Sequence, residues 1–246
     1  MQQHAASDKP RLAVENEALP FILLQRTAYL SHPRHPLYRL LKGLRMAPSF
    51  DAMVRLESRW RGDAIRDAFA ADMHDEYLTI RDHLPPDPAA ILDIGCGIAG
   101  IDVFLHRHYG RPANLEFHLL DKSRVEEQVY YHFRDRAAFY NSLEHARRFL
   151  VDNGIPAERV FPHEVGDDGR IPGDRQFDLV ISLISWGFHY PVATYAEQVA
   201  QRLNPGGRLI LDIRKNTDGM EVLARHLPNL RTLVDTPKFA RVLAVK

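Results

Sequence analysis

The sequence has a single cysteine, no excess of either charge and no long apolar run. Each absence excludes something. Cys96 alone permits no intrachain disulfide and no thiolate zinc cluster. A reducing cytoplasm is the simplest home for such a chain. Lys plus Arg number 32 and Asp plus Glu number 32, so bulk charge does not hold nucleic acid. The uncharged stretch from Leu179 to Phe188 falls well short of the ~20 apolar residues of a membrane-spanning helix. A signal peptide is not expected either, because Glu15 and Glu17 precede the apolar run Phe21–Leu24, where a cationic region would sit. Internal repeats and low-complexity tracts are also lacking.

What is present is an ordinary globular composition, 45% hydrophobic and 26% charged over 246 residues. That length suits one full domain with an appendage. Residues 1 to about 18 are polar. Between Phe21 and Arg61 eight basic residues (Arg26, Arg34, Arg39, Lys42, Arg45, Arg55, Arg59, Arg61) face only Asp51 and Glu57. Phe21, Tyr29, Tyr38 and Phe50 lie in the same stretch, which favours a folded cover over a free tail. Ile65, Phe69, Met73, Tyr77, Ile80 and Leu84 recur at helical spacing, and Pro85-Pro86-Asp87-Pro88 stops the pattern. Residues 1–86 are therefore expected to form a helical extension, or lid, and residues 87–246 the main domain.

Beyond the prolines the pattern alternates between strand and helix. Strands are expected at Ala90–Ile94, Leu115–Leu120, Val160–Val165, Leu179–Ile184, Arg208–Ile213, Leu230–Val234 and Phe239–Val245. This order predicts an α/β fold, a doubly wound and mostly parallel seven-stranded sheet covered by helices on both faces. The turn Asp235-Thr236-Pro237-Lys238 is too short for a parallel crossover, so the last two strands should form an antiparallel hairpin. Ligands in such sheets bind beyond the carboxyl ends of the strands.

The main chemical signal is Asp93-Ile94-Gly95-Cys96-Gly97-Ile98-Ala99-Gly100, a glycine-rich turn between a strand and a helix. Gly95 permits the tight turn, Gly97 close approach of a ligand, and Gly100 close packing of helix on strand. Asp121 ends the next strand, 21 residues after Gly100, where a carboxylate can accept from both hydroxyls of a ribose. Taken alone, this fits a nicotinamide or flavin site equally well. Three features point elsewhere. An acid at Asp93 suits a cationic ligand better than a pyrophosphate, the C-terminal hairpin departs from dinucleotide folds, and no length remains for a substrate domain.

From about Ala90 to Lys246 the chain resembles the class I S-adenosylmethionine-dependent methyltransferases. Asp93-x-Gly95-x-Gly97-x-x-Gly100 is similar to the first motif of that family. Phe177-Asp178-Leu179-Val180 is similar to the strand entering the methyl-transfer site, and Leu203-Asn204-Pro205-Gly206-Gly207-Arg208-Leu209 to the turn before the fifth strand. The resemblance implies S-adenosylmethionine as cofactor. It implies that Asp93, Gly95, Cys96, Gly97, Gly100 and Leu183 surround that cofactor. Asp121 with Lys122 would take its ribose, and Gly166-Asp167 its adenine. Plainer roles stand beside these: Cys96 as a small turn residue or a nucleophile, Asp121 as a solvated strand end, and Asp167 as a turn residue.

The methyl-transfer site of the family lies at the end of the fourth strand, here Ser185-Trp186-Gly187-Phe188-His189-Tyr190-Pro191. The Asn/Asp-Pro-Pro-aromatic tetrad of amino-methylating nucleic-acid enzymes is absent. So is an acid of the kind that ribose 2′-O-methyltransferases carry there. No pair of acids suggests a divalent metal. His189 is the candidate general base, with Tyr190 next. Trp186, Arg214 and Lys215 are candidate substrate-binding residues, the two cations for an anionic acceptor. The plainer reading leaves His189 tying a loop and the two cations in solvent. Methylation of a small molecule, at oxygen, is the expectation. The alternatives are an RNA or nucleotide methyltransferase and a non-catalytic S-adenosylmethionine-binding protein.

Overall fold

A computed structural model describes residues 10–31, 49–123, 142–166 and 168–246. Tyr38 and Asp167 lie outside the described residues. Eight strands are described: β1 (Ala90–Ile94), β2 (Glu116–Asp121), β3 (Val160–Glu164), β4 (Phe177–Ser182), β5 (Ser185–Tyr190), β6 (Leu203–Arg214), β7 (Leu230–Asp235) and β8 (Phe239–Val245). The described helices are α1 (Leu19–Gln25), α2 (Phe50–Trp60), α3 (Gly62–Ile80), α4 (Gly100–His108), α5 (Leu143–Asp152), α6 (Ala196–Arg202) and α7 (Gly219–His226).

Seven strands form one sheet in the order β3-β2-β1-β4-β6-β8-β7. β1 to β4 and β6 pair in parallel. β8 pairs antiparallel with both β6 and β7. The short connection thus makes the expected hairpin, and β8 inserts between the edge strand and the parallel set.

Every residue of β1 is buried, as a central strand covered on both faces requires. Its side chains alternate between two cores. Ile91 joins α3, α4 and α5 through Phe69, Phe104 and Phe149. Ala90, Leu92 and Ile94 join α6 and α7 through Val199 and Leu223. The first core also takes in Leu19, Ile22 and Leu23 of α1 and Ile65, Phe69 and Met73 of α3. The extension therefore shares the hydrophobic core of the main domain.

Two local expectations are corrected. The fourth strand stops at Ser182, and the chain turns at Leu183-Ile184 into β5, a strand the sequence pattern does not suggest. The Pro205-Gly206-Gly207 segment belongs to β6 itself, because Gly206 and Gly207 exchange backbone hydrogen bonds with Lys246. Of the α4 histidines, His106 is buried, and His108 is exposed and meets the Tyr77 hydroxyl at 2.8 Å.

Candidate active site

β1 delivers the chain to a loop of left-handed residues, Gly95 (φ 72°), Gly97 (φ 56°) and Ala99 (φ 59°), before α4 begins at Gly100. The Gly95 amide donates to the Leu120 carbonyl at 2.7 Å, which fastens the loop to the end of β2. A Cβ on Gly95 would sit 1.8 Å from Ser185 Oγ, at the start of β5. A Cβ on Gly97 would sit 2.6 Å from Gln25 Oε1, at the end of α1. At Gly100 the close neighbours are Phe69 and Met73 of α3, at 2.5 and 2.6 Å. The third glycine thus makes room for the extension, where close packing of helix on strand was expected of it. Gln25 and Ser185 are contacts of the loop that sequence spacing does not reveal, since each is remote from it along the chain.

Asp121 closes the loop from the side. Its Oδ2 accepts from the Gly97 amide at 2.9 Å and its Oδ1 from the Lys122 amide at 2.7 Å. Cys96 is buried, with Sγ 3.5 Å from the Gly97 carbonyl and 4.0 Å from Asp121 Oδ2. The Val165 amide donates to the Asp121 carbonyl at 3.0 Å, so the segment leading to Gly166 starts beside Asp121. Gly166 itself is exposed and accepts from the Gly169 amide at 3.1 Å.

Asp93 is buried at the end of β1 beside Asp102, a fully buried residue in the first turn of α4. Burial pushes both carboxyls above the usual range, and the charges of Asp102 and Asp121 raise Asp93 further. Asp102 rises to about 7. Two acids so placed cannot both ionise readily, so the pair retains a proton near neutrality. The sequence reading misses Asp102. Its one signal is an acid in the first turn of a helix, which ordinarily serves the helix dipole.

The opposite wall comes from β4, β5 and β6. The buried Ser182 hydroxyl donates to the Ile94 carbonyl at 2.6 Å and accepts from the Trp186 amide at 3.0 Å. Leu183 is half-buried against the first core. Trp186 is fully buried, its indole N–H donating to the Val192 carbonyl at 3.0 Å and its ring edge-on to Tyr195. It is a core residue in this arrangement. Tyr190 is half-buried and has its hydroxyl 3.8 Å from the Cβ position of Gly95. Burial, with Tyr195 and Asp121 nearby, holds its hydroxyl well above the ordinary value, so it stays protonated. Tyr190 therefore faces the glycine loop.

His189 is also half-buried, with the Phe188 ring 5.0 Å away. Burial first, then the Arg214 charge, lowers its pKa and keeps the imidazole neutral. The Arg214 guanidinium lies 5.3 Å over the Phe188 ring. Lys215 is ion-paired with Asp235. Thus β5 and the end of β6 bring His189 and Arg214 together, while the Lys215 ammonium is engaged by the edge strand. Among the described residues no group of three or more His, Cys, Asp or Glu residues could hold a metal ion. No described helix is long and apolar enough to cross a membrane.

No protein-family model matches the sequence, and no curated protein matches it either. Solved structures do. The chain is similar to a T. thermophilus 16S rRNA N2 G1207 methyltransferase in complex with AdoMet and guanosine, at 15% identity and a TM-score of 0.50, over 71% of this chain and 42% of that one. It is similar to a Nostoc punctiforme protein described provisionally as an O-methyltransferase, at 15% identity and a TM-score of 0.50, over 75% of this chain and 58% of that one. It is also similar to a Bordetella parapertussis protein described as a possible exported protein, at 15% identity and a TM-score of 0.51, over 74% of this chain and 72% of that one. The match spans less than two thirds of the first two of these proteins. Such likenesses show the fold: this chain has the class I methyltransferase architecture, with its seven-stranded, mostly parallel sheet and antiparallel strand near the C-terminal edge.

Proposed function

We propose that this protein is an S-adenosylmethionine-dependent methyltransferase that acts on a hydroxyl of a small anionic acceptor. The observation that carries the reading is the Asp121 carboxylate on the Gly97 amide, in a left-handed glycine loop between β1 and α4. The Gly97 and Lys122 amides on its two oxygens fix the Asp121 carboxylate at the end of β2, where a ribose would lie. Asp93 is a buried acid, and a cationic amino group beside it would favour its ionised form and pair with the carboxylate. A residue with a Cβ at Gly97 would narrow that approach. These features fit S-adenosylmethionine, with Asp93, Gly95, Cys96, Gly97, Gly100, Asp121, Lys122, Gly166, Asp167 and Leu183 around it.

S-adenosylmethionine supplies an electrophilic methyl carbon on a sulfonium. His189, neutral by burial, takes the acceptor hydroxyl proton on a ring nitrogen. Arg214 pairs with an acidic group of the acceptor and orients the hydroxyl. Tyr190, protonated and close to Gly95, serves as a hydrogen-bond donor on the cofactor side. The extension supplies a cover, with Gln25 over Gly97 and Phe69 and Met73 over Gly100. We assign the protein to the cytoplasm, on its single cysteine. A second acceptor class, an RNA base, is favoured by the rRNA substrate of the T. thermophilus relative.

Calorimetry with S-adenosylhomocysteine and with NAD tests the cofactor. Binding of NAD alone would overturn the reading. Incubation with isotopically labelled S-adenosylmethionine and cell extract, followed by mass spectrometry, identifies the acceptor. Label in a small acidic compound supports the proposal, and label confined to RNA favours the second class.

A further inference from the structure

Beneath the β4–β5 turn lies a buried ion pair that the proposed chemistry does not use. Asp212 of β6 and Arg241 of β8 stand directly opposite in the antiparallel register, and both are almost fully buried. The guanidinium donates from Nε to Asp212 Oδ1 and from Nη2 to Asp212 Oδ2, each at 2.7 Å. Its outer side is held by α3, with Nη1 donating to Thr79 Oγ1 at 2.6 Å and Nη2 2.6 Å from Glu76 Oε2. The fork is thus fixed by side chains from separate elements and cannot rotate without breaking several contacts.

Asp212 makes one further contact. Its Oδ2 accepts from the Ile184 amide at 3.1 Å. Ile184 has φ 54°, a left-handed conformation that a β-branched residue strongly disfavours. Such a conformation persists only where the surroundings over-determine it. Here Asp212 holds the Ile184 amide, and Ser182 holds the next turn of chain between Ile94 and Trp186. The residue after Ile184 is Ser185, the one packed on Gly95 of the glycine loop. A buried ion pair is weak as a source of stability, because apolar residues of the same volume serve as well or better. Its geometry matters more.

We infer that Asp212, locked by Arg241, is a positioning residue for the transfer site, fixing the left-handed Ile184 turn that seats Ser185 and β5 against the glycine loop. This rests on the methyltransferase reading above. It adds that the sheet interior and α3 set the shape of the cofactor site through one guanidinium.

The test uses the full chain carrying Asp212→Leu together with Arg241→Met, which removes both charges at once. Three quantities are read: the melting temperature, amide exchange of the segment around Ile184, and affinity for S-adenosylhomocysteine. Melting close to wild type, faster exchange at the turn, and affinity weakened on the order of tenfold are expected. Wild-type exchange and wild-type affinity in a folded double variant would overturn the inference, since the pair would then serve stability alone. Should that variant fail to fold, Arg241→Lys answers the same question. It keeps a charge beside Asp212 but cannot hold both carboxylate oxygens in one plane. Faster exchange at the turn is again expected, and unchanged exchange and affinity overturn the inference. Failure of the wild-type chain itself to bind S-adenosylhomocysteine is a separate result, and strikes the methyltransferase reading instead.

Discussion

Replacing Gly95 by alanine perturbs the glycine loop at its most crowded point. Two effects add. An L-residue at φ 72° pays the left-handed penalty, about 1–2 kcal/mol. The new methyl would also lie 1.8 Å from Ser185 Oγ and 2.5 Å from Ser185 Cβ, closer than any real contact. Relief requires the β4–β5 turn to move, and overpacking of this kind costs about 1–3 kcal/mol. The total is about 2–5 kcal/mol. For a chain of this size that lowers Tm by about 4–20 °C. Gly97→Ala provides the contrast. It incurs the same left-handed penalty, but its nearest neighbours are all at the far end of the Gln25 side chain and none is backbone. Gly97→Ala should therefore lose only the first part. Adding Ser185→Gly to Gly95→Ala removes the obstructing Cβ and hydroxyl together. That double variant should recover about 1–3 kcal/mol relative to the sum of the single changes, in thermal and urea unfolding. If the two changes were simply additive, the contact between Ser185 and Gly95 would not be the cause, and the seat of β5 on the loop would be wrong.

Asp121→Ala should leave the fold intact and weaken S-adenosylhomocysteine by about 1.5–3 kcal/mol for each charge-assisted hydrogen bond lost, read by calorimetry. Unchanged affinity would move the ribose elsewhere. Asp102→Asn should alter the pH dependence of stability. A carboxyl whose folded pKa lies near 7, above its unfolded value of 3.8, contributes stability at low pH that is lost as pH rises through that window. Wild-type Tm should therefore fall between pH 5 and pH 8 more steeply than that of Asp102→Asn, and parallel curves would refute the shared proton. His189→Ala should slow turnover by about 10²–10⁴-fold with cofactor affinity nearly intact. Because burial lowers the pKa of His189, wild-type activity should hold on the acid side until below the ordinary value of 6.5, and a fall centred above it would argue for another base. Arg214→Ala should mainly raise KM for an acidic acceptor, and equal kinetics toward a neutral and an acidic acceptor would remove its assigned role.

Features that depend on near neighbours along the chain were legible before folding. Alternating apolar stretches set the strand and helix order, because burial on both faces selects such runs for a parallel sheet. The short connection between Asp235 and Phe239 forced β7 and β8 to run in opposite directions. The spacing of Gly95 and Gly97 marked the left-handed loop, and Asp121 fell at the end of β2, beside it. Tertiary structure alone decided everything that depends on which distant atoms meet. β5 exists because Ser182, Asp212 and Gly95 hold a turn that Ile184 by itself would resist. Trp186 went to the core because Val192 offered its indole an acceptor away from solvent. Asp102 acquired a second acid as neighbour only when α4 folded back over β1. Gly100 answers to Phe69 and Met73 of the extension, residues whose helical spacing announced a buried face without saying against what. Periodicity fixes which side of an element is apolar; the partner is chosen by packing, which no local pattern encodes.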